Sequence, residues 1–281
     1  DGLGRATQIK DPNSNTTNYE YNGNGQVEKI TDALGGISET EYTPAGQISS
    51  TTDAAGNTTA YDYTDSGRLE KITDPLGYTI EYTYDPAGNR LTQKDKNNNT
   101  TAYTYDAANR VETVTDPKNN TTEYEYDQMG NRIKITDPEG NETLFEYNPR
   151  NYLKVIVDAQ GAVTSYNLNP DGTKASVTDA NSNTTTYEYD PLKRRIKTTD
   201  ALGQVTEAEY DGEGSLLWLK DAKGNTTTYT YDEAYRLTKE TFADGKERSY
   251  TYDPAGNPVT ITDQNGSTVT NTYDALNRLT N

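Results

Sequence analysis

"EYTYDPAGNR", residues Glu81 to Arg90, reads as the end of one β-strand, a tight turn and the start of another. Tyr82 and Tyr84 are two apart and share a strand face. Asp85, Pro86 and Gly88 follow in the order a type I turn uses. Asp bonds back to the chain, Pro supplies the fixed φ of the second position, and Gly takes a left-handed fourth position. The Tyr-Asp pair returns as Tyr105-Asp106, Tyr126-Asp127, Tyr189-Asp190, Tyr210-Asp211, Tyr231-Asp232, Tyr252-Asp253 and Tyr273-Asp274.

The recurrence has a fixed period. Tyr21, Tyr42, Tyr63, Tyr84, Tyr105, Tyr126, Tyr147, Tyr189, Tyr210, Tyr231, Tyr252 and Tyr273 all stand at multiples of 21, and only Leu168 interrupts them. A second aromatic series stands two residues earlier, as at Tyr19, Tyr61, Tyr82, Tyr103 and Phe145. The two series hold 21 of the 24 tyrosines. An Asp series runs from Asp11 to Asp263 at the same interval, broken only by Phe242. A fixed period of this length is the signature of a repeat architecture.

Each repeat has two turns of one chemistry. Asp74 and Gly77 bound one, Asp85 and Gly88 the other, and Asp137 with Gly140 repeats the first. Ten of the eleven prolines occupy the second position of such a turn. Pro258 falls inside a predicted strand, where it removes a ladder hydrogen bond. Lys193 and Tyr235 stand where the turn glycine is expected and predict locally altered turns. Between the turns lie strands of six or seven residues. In "NTTAYDY", Asn57 to Tyr63, the residues Thr59, Tyr61 and Tyr63 form an aromatic face and Thr58, Ala60 and Asp62 a polar one. The other strand type, "GRLEKITD" at Gly67 to Asp74, spaces Leu69 and Ile72 three apart. That spacing requires either a bulge or partial cover on both faces.

The expectation is an all-β chain, residues 1–281, made of about 13 hairpin repeats in one continuous array without separate domains. Open twisted sheets of more than about ten strands curl or flatten, so a curved barrel-like or spiral wall is predicted, held by tyrosine ladders. Leu, Ile, Val and Phe make up only 39 of 281 residues. That share belongs to disordered chains, but 24 tyrosines do not.

Several functions are excluded by composition. A formal charge of −18 argues against nucleic-acid and anionic-membrane partners. The absence of cysteine and histidine removes thiolate and imidazole metal sites, the cysteine nucleophile and the usual triad base. No apolar run reaches the length of a membrane span, so no membrane insertion is expected. Carboxylates recur at every step, whereas acid–base catalysis needs a unique pair. No catalytic residue, cofactor or metal is assigned. Asn-x-Ser/Thr at Asn15, Asn57, Asn99, Asn120, Asn141, Asn183, Asn225 and Asn265 reads as strand-start chemistry, not as glycan acceptors.

The motif "YDxxGRLxxITDxxGNxTxYxY", nearly intact from Tyr63 to Tyr84 and from Tyr126 to Tyr147, resembles the YD repeats of the Rhs family, bacterial wall-associated proteins, Tc toxin complexes and teneurins. The resemblance covers the whole chain. It implies a hollow spiral of hairpins, a cocoon that encloses a C-terminal toxin or effector in bacterial members and serves adhesion in teneurins. It implies that the partners are the remainder of the same shell and the enclosed effector, with cell-surface glycans as a further class. It also implies a secreted or bacterial cell-surface location. Some members self-cleave at a core segment with "DPxGL" motifs. Here the Asp74 turn continues as Tyr78 and reads as an ordinary turn, so no self-cleavage is expected. The rival expectation is an adhesive or carbohydrate-binding surface, with Trp218 as the first aromatic to test.

Overall fold

Every 21-residue period folds as two strands and two turns of one construction. At the first turn, Asp74 N–H donates to the Tyr78 carbonyl and Gly77 N–H donates to the Asp74 carbonyl, both at 2.9 Å. Asp74 Oδ1 accepts the N–H groups of Leu76 and Tyr78, each at 2.9 Å. Gly77 sits at φ 83°, where a Cβ would crowd the following carbonyl. Gly88 (φ 99°) and Gly140 (φ 84°) hold the same place behind Asp85 and Asp137. Asp85 and Asp137 each accept the N–H four residues on, from Asn89 and Asn141, at 2.8 Å.

Lys193 and Tyr235 correct the expectation of altered turns. They adopt φ 64° and 60° and close the ordinary turn, donating to the Asp190 and Asp232 carbonyls at 2.9 and 3.0 Å. The reason lies in the aspartates. Each Oδ1 accepts two backbone N–H groups, and each Oδ2 accepts the Nε of the next arginine, Arg194 or Arg236, at 2.6 and 2.7 Å. Charge-assisted bonds of this kind outweigh a left-handed side chain, which costs about 1–2 kcal/mol.

The computed structural model describes all 281 residues as 26 strands, β1–β26, with no helix. They form two compact units. One comprises Asp1–Tyr124 with Tyr273–Arg278, and the other Glu125–Thr272 with Leu279–Asn281. In the first unit, strands from β1 (Gln8–Lys10) to β11 (Val111–Thr115) pair antiparallel with their chain neighbours. β1 pairs with no strand but its successor, so the sheet is open and not a closed barrel. Asn277 Nδ2 donates to Asp11 Oδ2 at 3.3 Å within this unit. In the second unit the same up-and-down order runs from β13 (Arg132–Thr136) to β26 (Thr268–Thr270).

The three-residue spacing is resolved as a bulge. β6 (Thr58–Tyr63) pairs with β7 (Leu69–Thr73) as Tyr61↔Ile72, Asp62↔Lys71 and then Tyr63↔Leu69, leaving Glu70 as the extra residue. One inserted residue reverses the alternation, so Leu69 and Ile72 both reach the tyrosine face. The same shift recurs in hairpin after hairpin, at Glu20/Tyr21, Glu41/Tyr42, Thr83/Tyr84 and Glu146/Tyr147 among others. Pro258 opens β25 (Pro258–Thr262) at this bulge, opposite Tyr252. The first residue of a strand and a bulge are places where a missing N–H is tolerated.

No side chain in the chain is fully buried. All twelve ladder tyrosines are half-buried. Each unit is thus a single layer, with one half-covered aromatic face in place of an enclosed core.

Replacing Tyr235 by Gly removes the left-handed strain while keeping the turn's hydrogen bonds. Urea unfolding of Tyr235→Gly is expected to show a gain of about 1 kcal/mol over the parent chain, and Tyr235→Ala no such gain.

Candidate functional site

The ladder tyrosines stand immediately before the turn, whose first residue is Asp in eight repeats and Asn22, Thr43, Thr64 or Asn148 in the others, and each phenol points back over the preceding hairpin. Tyr84 Oη–H donates to the Leu69 carbonyl at 2.7 Å. The same bond, always fifteen residues back, joins Tyr21 to Ala6, Tyr42 to Val27, Tyr63 to Ile48, Tyr105 to Arg90, Tyr147 to Arg132, Tyr231 to Leu216 and Tyr252 to Leu237, at 2.7–3.1 Å. The acceptors from Val27 onward are the first residues of bulged strands. Tyr126 ends its strand, and Tyr273 forms a single β-bridge at the same point of the repeat. Tyr189 and Tyr210 lie on the same face without this bond. The backbones of Tyr63 and Tyr84 stand two strands, about 10 Å, apart. The hydroxyl and the residue it reaches therefore bridge one rung to the next. The spacing of the rungs is legible in the residues, but this bond is not.

A second set of links runs from turn to turn. The residue after the left-handed position reaches one repeat forward. Gln26 Nε2 donates to the Gly46 carbonyl at 2.8 Å and Gln47 Nε2 to Gly67 at 2.7 Å. Arg194 Nη1 donates to Asp211 at 2.6 Å and Arg236 Nη1 to Asp253 at 3.0 Å. These arginines also lie over the next ladder ring, Arg194 5.0 Å from Tyr210 and Arg236 4.8 Å from Tyr252.

The turn aspartates bond within their own loop. In the first turn type, Asn57 Nδ2 donates to Asp53 Oδ2 at 2.9 Å, and Asn99, Asn120, Asn141, Asn183 and Asn225 repeat the bond at 2.8–3.0 Å. Six of the glycosylation-type asparagines thus spend their amide on the turn, and Asn15 does the same to Asp11 at 3.0 Å. Those side-chain bonds, then the backbone ones, hold the carboxyls of Asp53, Asp95, Asp116, Asp137, Asp179 and Asp221 below the usual carboxylate range. Burial pushes the phenols of Tyr84, Tyr231 and Tyr252 up.

The opposite face carries exposed ion pairs, such as Lys71–Asp62 at 3.5 Å and Lys197–Glu188 at 2.9 Å. Pairs this exposed contribute little to stability. Trp218 lies on this face, its indole N–H donating to Glu209 at 2.6 Å. One carboxylate escapes the sequence reading. Glu240 takes the place that Ile30 and Ile72 fill, opposite Tyr229 on the aromatic face, and is 15% exposed. Tyr250 Oη donates to it at 3.3 Å and Arg248 pairs with it at 3.4 Å. A charged residue in a row otherwise of Ile, Val, Leu, Thr and Gln was the available signal.

Comparison with known families decides what this geometry belongs to. The RHS Repeat pattern matches residues 1–37, 42–79, 63–100, 84–121, 105–142, 169–206, 210–247, 236–268 and 252–281. The chain belongs to the RHS repeat family. Only 38–41, 143–168 and 207–209 fall outside the matches. Curated proteins searched by sequence give no match. Among solved structures, the RHS repeat fold seen here is similar to that in the crystal structure of TcdB2-TccC3-Cdc42, with TM-score 0.60 and 18% identity, over 96% of this chain and 19% of that one. TcdB2-TccC3 without its hypervariable C-terminal region gives 0.60 and 19% identity, over 94% and 19%. The Photorhabdus luminescens Tc holotoxin pore gives 0.58 and 19%, also over 94% and 19%. The chain spans about a fifth of the length of these structures' chains.

Tyr84→Phe deletes one hydroxyl bond and keeps the ring. It is expected to cost about 1 kcal/mol in urea unfolding, whereas Tyr61→Phe, whose hydroxyl makes no such bond, changes stability by less than about 0.5 kcal/mol. The titrations set a stability window. Depressed aspartates contribute stability above their unfolded value of about 4, and it is lost as pH falls through the lower folded values. Raised tyrosines contribute below about 10, and theirs is lost as pH rises through the higher folded values. Circular dichroism in high salt, which screens the net charge, is expected to show a flat midpoint between these limits and a fall on both sides.

Proposed function

We propose that the chain is a structural, non-catalytic segment of a larger Rhs- or Tc-like shell, and that the shell encloses or scaffolds a C-terminal effector in a secreted or cell-surface protein. The observation that carries this reading is the likeness of nearly the whole chain to one stretch of much longer Tc toxin chains. One of those assemblies is described as lacking a hypervariable C-terminal region, which fits a constant wall around a variable passenger. The 21-residue register runs through Tyr105, Tyr126 and Tyr147 without insertion, which supports one continuous array along residues 1–281. Eight ladder hydroxyls and the Asn-bonded turn carboxylates are committed to the fold itself. Even Glu240, a carboxylate on the aromatic face, is held by Arg248 and Tyr250.

The test uses the full polypeptide from which the chain derives. Limited proteolysis is expected to leave a C-terminal effector intact while the repeats are folded and to degrade it once they are unfolded. Equal cleavage in both states, or electron microscopy showing no enclosed density, overturns the reading. Trp218 on the polar face supports the rival, a glycan-binding surface. Glycan-array binding that Trp218→Ala abolishes would favour it.

A further inference from the structure

The ladder is interrupted once, at Leu168, within residues 143–168 that depart from the family pattern. β16 (Val163–Leu168) ends there, opposite Lys174 at the start of β17 (Lys174–Thr178). Fifteen residues back is Leu153, which opens β15 (Leu153–Val157) beside the bulge. In eight other repeats the carbonyl at this distance accepts a tyrosine hydroxyl. Leucine has none to offer. In its place is a shallow surface hollow of about 280 Å³ lined by Tyr152, Leu153, Tyr166, Leu168, Gly172 and Lys174.

We propose that this gap is a binding subsite for one phenolic ring, which enters where the missing tyrosine would lie and donates its hydroxyl to the Leu153 carbonyl. The walls suit that ligand. Tyr152 replaces the Gln or Arg that elsewhere reaches forward, and its hydroxyl lies against Gly172, 2.8 Å from where a Cβ would stand. A side chain at that glycine would displace this wall, and Gly172 is left-handed at φ 88°. Tyr166 supplies an aromatic wall, with the Lys174 ammonium 4.7 Å from its ring centroid. A cation at the rim favours an electron-rich ring over an alkyl group. The fold shows in its other repeats what the subsite is shaped to hold. The inference does not depend on the shell reading.

Ligand-observed NMR titration with p-cresol tests it. Saturable binding is expected, about tenfold tighter than that of 4-methylanisole, the same ring with its hydroxyl capped. Leu168→Tyr restores the repeat and is expected to abolish p-cresol binding and raise the urea midpoint. Leu168→Ala widens the gap and is expected to keep binding. A tripeptide with a central tyrosine, acetylated and amidated, separates the sources. Binding of both it and p-cresol assigns the subsite to tyrosine side chains of a polypeptide. Binding of p-cresol alone assigns it to free phenols. No p-cresol binding to the parent chain, equal affinity for the capped ring, or undiminished binding by folded Leu168→Tyr overturns the proposal.

Discussion

A protein layer without an enclosed core must take its cohesion from bonds that work at half-exposure. Here the hydroxyl-to-carbonyl bond of the ladder tyrosines meets that requirement. It joins one hairpin to the next across an intervening strand, and it draws a half-buried ring down over the aliphatic residue at the bulge. The bulge, the turn and the tyrosine therefore form one device. The bulge brings Leu69 to the aromatic face, and the turn after Tyr84 fixes the strand end from which the phenol reaches it.

Much of this was legible in the residues. The period, the two turns and the aromatic face follow from Tyr, Asp, Pro and Gly at fixed places, because each of those residues has a narrow conformational or hydrogen-bonding use. The three-residue spacing of Leu69 and Ile72 already posed the bulge as one of two solutions. Other features were not legible because they depend on competing energies. Tyr235 and Lys193 read as marks of altered turns by propensity, yet a carboxylate with three well-placed donors overrides the strain. Pro258 read as a misfit because its register against Tyr252 could not be known from the chain alone. The fifteen-residue bond was hidden for the same reason. It depends on which strand a phenol leans over.

The two faces divide their tasks. The polar face carries lysines and carboxylates that screen one another in water and vary freely between Lys, Ser, Thr and Trp along a row. The aromatic face has its own departures, and two of them, Leu168 and Glu240, each change the local chemistry. At Glu240 the fold answers with Arg248 and Tyr250. At Leu168 it leaves an opening.

The uniform reach of these bonds bears on how such a chain lengthens or shortens over generations. Adding or losing a few residues between a phenol and its carbonyl would put that pair out of step and break the link between two neighbouring hairpins. Duplicating or excising one whole unit leaves each remaining neighbour with the partner it expects. Size in this architecture changes in quanta, and unequal recombination between near-identical copies supplies quanta of the right length.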